Sequence, residues 1–141
     1  MKPLMAYWLL KTEPEDYSFD RLLKDKSTVW DGVANNTALI HIRNARKGDT
    51  AIIYHTGDER AAVGLARVTS DPYADPKEDN PKLAVFDVAP ARRLARPVTL
   101  AAVKENPRLK TFDLVRISRL SVMPVSSEQW KELMKLAGEK G

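Results

Sequence analysis

The segment VWDGVANN, residues 29 to 36, sets a tryptophan beside a carboxylate and two amides. An indole face can stack an unpaired nucleobase, worth ~1–3 kcal/mol, and Asp31 and Asn35 carry groups that read a base edge. Further groups of this kind lie on Lys11, Thr12 and His55. A core tryptophan whose N–H is satisfied by a neighbour explains Trp30 equally well. The residues therefore predict either a base-binding pocket or a packed core position.

The sequence contains few of the residue patterns that bind metals or cofactors. The two histidines, His41 and His55, fall on different predicted elements, and the chain has no cysteine. No H-x-x-x-H pair, G-x-S-x-G elbow, P-loop or Rossmann glycine pattern occurs, so we expect no metal, no cofactor and no catalysis. Two alternatives stay open: an enzyme acting on a modified nucleoside with His55 or Asp31 as general base, and an adaptor that binds a small ligand or an acidic protein.

The positive charge is concentrated late in the chain. The net charge is +4, and residues 91 to 141 hold 11 Lys and Arg against 5 Asp and Glu. Such a distribution indicates a surface that faces phosphates, with Arg92 and Arg93 as expected contacts, although solvated helix faces give the same pattern.

Length and composition predict one domain over residues 1–141, since 141 residues with 43% hydrophobic content suffice for one core. The opening segment MKPLMAYWLL has too short an apolar run for a signal peptide or a membrane span. We expect a cytoplasmic monomer that does not enter a membrane.

Short strands and helices alternate along the chain. Strands are predicted at AYWLLK (6–11), TVW (28–30), TAIIYH (50–55), AAVGLARV (61–68), LAVFDVAPARRL (83–94) and RLSVMPV (119–125). Helices are predicted at FDRLLKD after Ser18, in NNTALIHIRNARK after an Asn36 cap, after Thr99, and after a Ser126–Gln129 capping box. Residues 69–82, with three prolines, predict a long exposed binding loop. This mixture predicts an α+β domain built on a small open barrel.

Several of these segments resemble one known family. YWLLKTEPEDYSFDRL, WDGVANN, YHTGD, VGLARV and RLSVMPV occur in the order and spacing of EVE domains, many of which are small stand-alone bacterial proteins. The resemblance implies a PUA-like fold, a curved β-barrel flanked by short helices. It also implies recognition of a modified nucleobase, such as modified cytosine, in DNA or RNA.

The resemblance also assigns a set of ligand-binding residues. By position in the family's motifs these are Lys11, Thr12, Trp30, Asp31, Val33, Asn35, Arg43, His55 and Thr56. Tyr73 is our choice for a second aromatic wall. The chain has Ala34, Leu39 and Ile40 where the family often has Arg, Arg and Asn, so two positive charges beside the pocket are absent. A free nucleobase or another small ligand therefore remains an alternative to a nucleic acid.

Overall fold

The computed structural model describes residues 5–139, which form a seven-stranded sheet and five short α-helices. The strands are β1 (Tyr7–Thr12), β2 (Thr28–Trp30), β3 (Thr50–His55), β4 (Ala61–Val68), β5 (Tyr73–Ala74), β6 (Ala84–Thr99) and β7 (Val122–Val125). The helices are α1 (Phe19–Asp25), α2 (Asn36–Asn44), α3 (Leu100–Glu105), α4 (Asp113–Arg116) and α5 (Ser127–Leu136), with a 3-10 turn at Pro107–Leu109.

The sheet is curled and has two edges. Its strand order is β2-β6-β4-β3-β1-β7, with β5 paired to β6, and only β1 and β3 run parallel among the described pairs. The register shifts between Ile53 and Tyr54 and twice in the β4–β6 ladder. Such bulges bend a strand, so the sheet curls into a half-barrel. Helix α2 contacts both β6 and β7 and covers part of the seam between the edges β2 and β7.

The start of β1 is held by one buried carboxylate. Asp49, just before β3, accepts the N–H of Ala6 at 3.1 Å, the indole N–H of Trp8 at 2.8 Å and the N–H of Arg46 at 2.9 Å. Because its N–H is paired and its ring is buried, Trp8 is a core residue. The hydrogen bonds fix β1 and β3 side by side, and their far ends therefore reach the same end of the sheet.

Most predicted elements are confirmed, including the caps at Ser18, Thr99 and Ser126. The predicted cap at Asn36 is wrong, because the Asn35 side chain accepts the Ala38 N–H and α2 begins one residue earlier. Strand β6 is longer than predicted, and the loop at 69–82 contains β5. No helix described between residues 5 and 139 has the length and hydropathy needed to cross a bilayer.

Helix α1 is seated on the sheet through a glycine. The ring of Phe19 is fully buried and lies against Gly64 of β4, so closely that a Cβ at position 64 would overlap it. Glycine is therefore required here by the approach of the ring. The contact decides where the segment that precedes α1 lies.

We expect Gly64→Ala to lower the free energy of unfolding by about 1–3 kcal/mol, because the added methyl overpacks the Phe19 site. Urea denaturation of the two proteins measures this change. In a Phe19→Leu background the same substitution should cost less, since the shorter side chain leaves room. An unchanged unfolding free energy in Gly64→Ala would contradict the proposed seat of α1.

Candidate functional site

A cleft of about 480 Å³ opens where the two edges of the half-barrel approach each other. It lies between β2 on one side and, on the other, the end of β1 and the residue before β7. Its lining residues are Lys11, Thr12, Asp16, Tyr17, Thr28, Val29, Trp30, Asp31, Gly32, Val33 and Ser121. The volume falls within the range of small-ligand sites, about 300–1,000 Å³.

Trp30 lines this cleft from β2. Its ring is 7% exposed and belongs to the core. Its indole N–H makes no hydrogen bond to another described residue, and Trp30 is one of the residues that line the cleft. The ring is buried, as the alternative of a core tryptophan predicts. The exposed area is too small for a broad stacking face.

Tyr17 forms the second aromatic part of the wall, the position that the sequence assigned to Tyr73. The rings of Tyr17 and Trp30 meet edge to face, with centroids 6.4 Å apart and planes at 86°. The hydroxyl of Thr12 donates to the Tyr17 carbonyl at 2.7 Å and holds this residue in place. Burial raises the pKa of Tyr17, and its hydroxyl donates to the Asp25 carboxylate at 3.0 Å.

Tyr73 does not line the cleft. It lies on β5, where its hydroxyl donates to Asp87. This hydrogen bond, together with partial burial and the nearby carboxylates of Asp75 and Asp31, raises the pKa of Tyr73 to about 12. Tyr73 therefore lies within a cluster of carboxylates beside the cleft.

Lys11 and Asp31 place opposite charges on the cleft wall. The Lys11 ammonium donates to the Ser118 carbonyl at 2.9 Å, and burial lowers its pKa. Asp31 is exposed and makes no side-chain hydrogen bond or ion pair with another described residue. Gly32 follows with a φ of +76°, a left-handed conformation that an L side chain rarely adopts. The turn presents Asp31 and Val33 to the cleft while Trp30 stays packed.

Three of the predicted site residues are occupied elsewhere. The Asn35 side chain caps α2, Arg43 donates to the Lys82 carbonyl at 2.8 Å, and the Thr56 hydroxyl donates to the Glu13 carboxylate at 2.9 Å. None of them lines the cleft. In this arrangement they hold the loops around the cleft.

His55, also predicted as a site residue, anchors α1 from the end of β3. It is 7% exposed, and its Nε2 accepts the backbone N–H of Phe19 at 3.0 Å. An acceptor at Nε2 requires a lone pair there, so the proton sits on Nδ1 and is donated to Glu59 at 3.0 Å. Both ring nitrogens are therefore in use, and neither faces the cleft.

Six lining residues were missed by the sequence analysis: Asp16, Tyr17, Thr28, Val29, Gly32 and Ser121. All six lie within quoted segments, where the local signal was a turn or a strand. Ser121 lies 89 residues beyond Gly32 and becomes a neighbour of the others only when the sheet curls.

No group of three His, Asp or Glu side chains in residues 5–139 is arranged to hold a metal ion.

Comparison with known proteins places these features in a family. The family model for the EVE domain matches residues 6–136. Thymocyte nuclear protein 1 of Rattus norvegicus is 31% identical over 96% of this chain and 75% of its own length. An NMR structure of a Rhodopseudomonas palustris protein has a TM-score of 0.90 and 40% identity, covering 95% of this chain and 94% of that one.

A further solved structure contains a ligand. The human THYN1 protein, in complex with 5-methylcytosine-containing DNA, has a TM-score of 0.86 and 29% identity, covering 96% of this chain and 99% of that one. The predicted fold class is confirmed: an α+β, PUA-like curled half-barrel flanked by short helices.

We expect His55→Ala to lower the free energy of unfolding by about 1–3 kcal/mol, because the buried N–H of Phe19 loses its acceptor. Urea denaturation measures the loss. Glu59→Gln is the matched control, since it keeps the Phe19–His55 bond and removes only a half-exposed charge partner, worth below ~1 kcal/mol. Equal stabilities of the two variants would refute the anchoring role of His55.

Proposed function

Because this chain belongs to the EVE domain family, we propose that its cleft binds a modified cytosine base of a DNA strand without changing it chemically. The observation that carries this proposal is that Trp30 and Asp31 both line the cleft, and that neither the indole N–H nor the carboxylate has a partner among the described residues. The DNA complex of human THYN1 protein, with its 5-methylcytosine, supports it by homology.

The chemistry of the wall suits cytosine. A carboxylate accepts well from the N4 amino group of cytosine, whereas thymine presents a carbonyl oxygen at that position. The Trp30 N–H can donate to a ring carbonyl of the same base, and Tyr17 supplies aromatic surface. The side chains of Val29 and Val33 provide apolar contact for a methyl group on the base.

The base has to leave the helical stack to enter the cleft. Extrusion from a duplex costs a few kcal/mol, so one domain of this size binds a base in a duplex more weakly than the same base in a single strand. Non-catalytic binding is favoured by the state of His55, whose two nitrogens are hydrogen-bonded away from the cleft.

We expect Asp31→Ala to weaken binding of a single-stranded oligonucleotide with one 5-methylcytosine by about 10- to 100-fold, since a hydrogen bond to a charged group is worth about 1.5–3 kcal/mol. Isothermal calorimetry gives the affinities. Asp58→Ala removes the same charge at the exposed β3–β4 turn and serves as the control. If both variants bind equally well, the cleft is not the base site.

The Trp30 donor needs a variant that preserves packing, because truncation of a buried tryptophan to alanine costs about 3–5 kcal/mol of stability. We expect Trp30→Phe to weaken binding about two- to tenfold by removing one hydrogen bond while keeping an aromatic ring. Oligonucleotides with cytosine, with 5-methylcytosine and with the corresponding RNA bases decide which base and backbone are preferred. Equal affinity for cytosine and 5-methylcytosine would refute recognition of the modification.

A further inference from the structure

Hydrogen bonds from Lys11, a residue that lines the cleft, hold a short turn before β7 in place. The backbone N–H of Lys11 donates to the Ser121 carbonyl, and its ammonium donates to the Ser118 carbonyl, both at 2.9 Å. The N–H of Leu120 donates to the Ile117 carbonyl at 3.2 Å and closes the turn. Residues 116–121, from the last residue of α4 to Ser121, are named the β7 turn; they lie beside the cleft, which Ser121 lines.

The charges around the cleft are unequally distributed. Asp16 and Asp31 line it, and the Asp31 side continues into the carboxylates of Asp75 and Asp87 around Tyr73. This acidic side repels phosphate. The β7 turn carries Arg116 and Arg119 instead, both with exposed side chains. The β7 turn therefore offers the phosphates of a strand with one base in the cleft a more favourable path than the Asp31 side does.

The arginines expected from the sequence to contact phosphates are already paired. Arg92 forms an ion pair with Glu139, and Arg93 forms one with Asp20. By contrast, Arg119 has no acidic partner among residues 5–139, and Arg116 lies 3.7 Å from Asp113 in a long exposed pair. An unpaired guanidinium can bind phosphate without first breaking an ion pair with a carboxylate. Arg119 is therefore a stronger candidate for a phosphate contact than Arg92 or Arg93.

We propose that Arg119, assisted by Arg116, binds the phosphodiester next to the nucleotide whose base enters the cleft. This inference rests on the proposed function, because it assumes that a base occupies the cleft. With this contact, the nucleic-acid strand would cross the β7 turn and run away from Tyr73. The contact is independent of base identity, since phosphates carry no sequence information.

The test measures the salt dependence of binding for an unmodified and a 5-methylcytosine single-stranded oligonucleotide, by fluorescence anisotropy. We expect Arg119→Ala to weaken both oligonucleotides by the same factor. We also expect the slope of log K against log salt to fall by about 0.7, the value for one lost phosphate contact on a single strand. Binding of the free 5-methylcytosine nucleoside, measured by calorimetry, should not change.

Arg67→Ala is the matched control. Arg67 is exposed, has no ion pair among the described residues, and lies on β4, which β3 and β1 separate from β7 in the sheet. An Arg119→Ala slope equal to that of Arg67→Ala would overturn the inference, as would loss of nucleoside binding in Arg119→Ala. Absence of salt-dependent binding by the parent chain would overturn it too. Equal binding of the two oligonucleotides, with the slope still lowered by Arg119→Ala, would refute the proposed function alone.

Discussion

The cleft exists because the sheet curls without closing. Bulges in β3, β4 and β6 bend the strands until the edges β2 and β7 approach each other, but these edges do not pair within the described chain. Unpaired edges invite association, and this fold covers part of the seam with α2. The uncovered part becomes the cleft. Its walls therefore come from segments that are far apart in sequence and are brought together by curvature.

Polar side chains of similar type have two different tasks around this seam. Asn35, Thr12 and His55 make hydrogen bonds that hold a helix or a loop in place. Trp30 and Asp31, in contrast, keep a donor and an acceptor without a partner in the described chain. An unpaired group loses water on ligand binding and gains a partner only from the ligand. We therefore propose that Trp30 and Asp31 decide specificity, while Asn35, Thr12 and His55 hold the surrounding segments in position.

The sequence predicted the local elements well because their signals are local. Caps, alternation of apolar residues and turn glycines gave most strand and helix positions, and the motif resemblance gave the fold class. The sequence alone could not distinguish the predicted site residues that line the cleft, such as Lys11 and Asp31, from those that do not, such as Arg43 and Thr56. That distinction depends on the partner each side chain meets after the sheet curls. Tyr17 was missed for the same reason, since its place is set by the Thr12 hydroxyl and by Trp30.

The central claim is that the base enters the cleft beside Trp30 and Asp31. An NMR titration of isotope-labelled protein with 5-methylcytosine nucleoside tests it directly, because the three indole N–H signals of Trp8, Trp30 and Trp130 report on three separate places. We predict that the Trp30 indole signal shifts together with the backbone amides of Asp31 and Val33, while the Trp8 indole, paired with Asp49, stays in place. Shifts centred on Trp130, with Trp30 unaffected, would contradict the account.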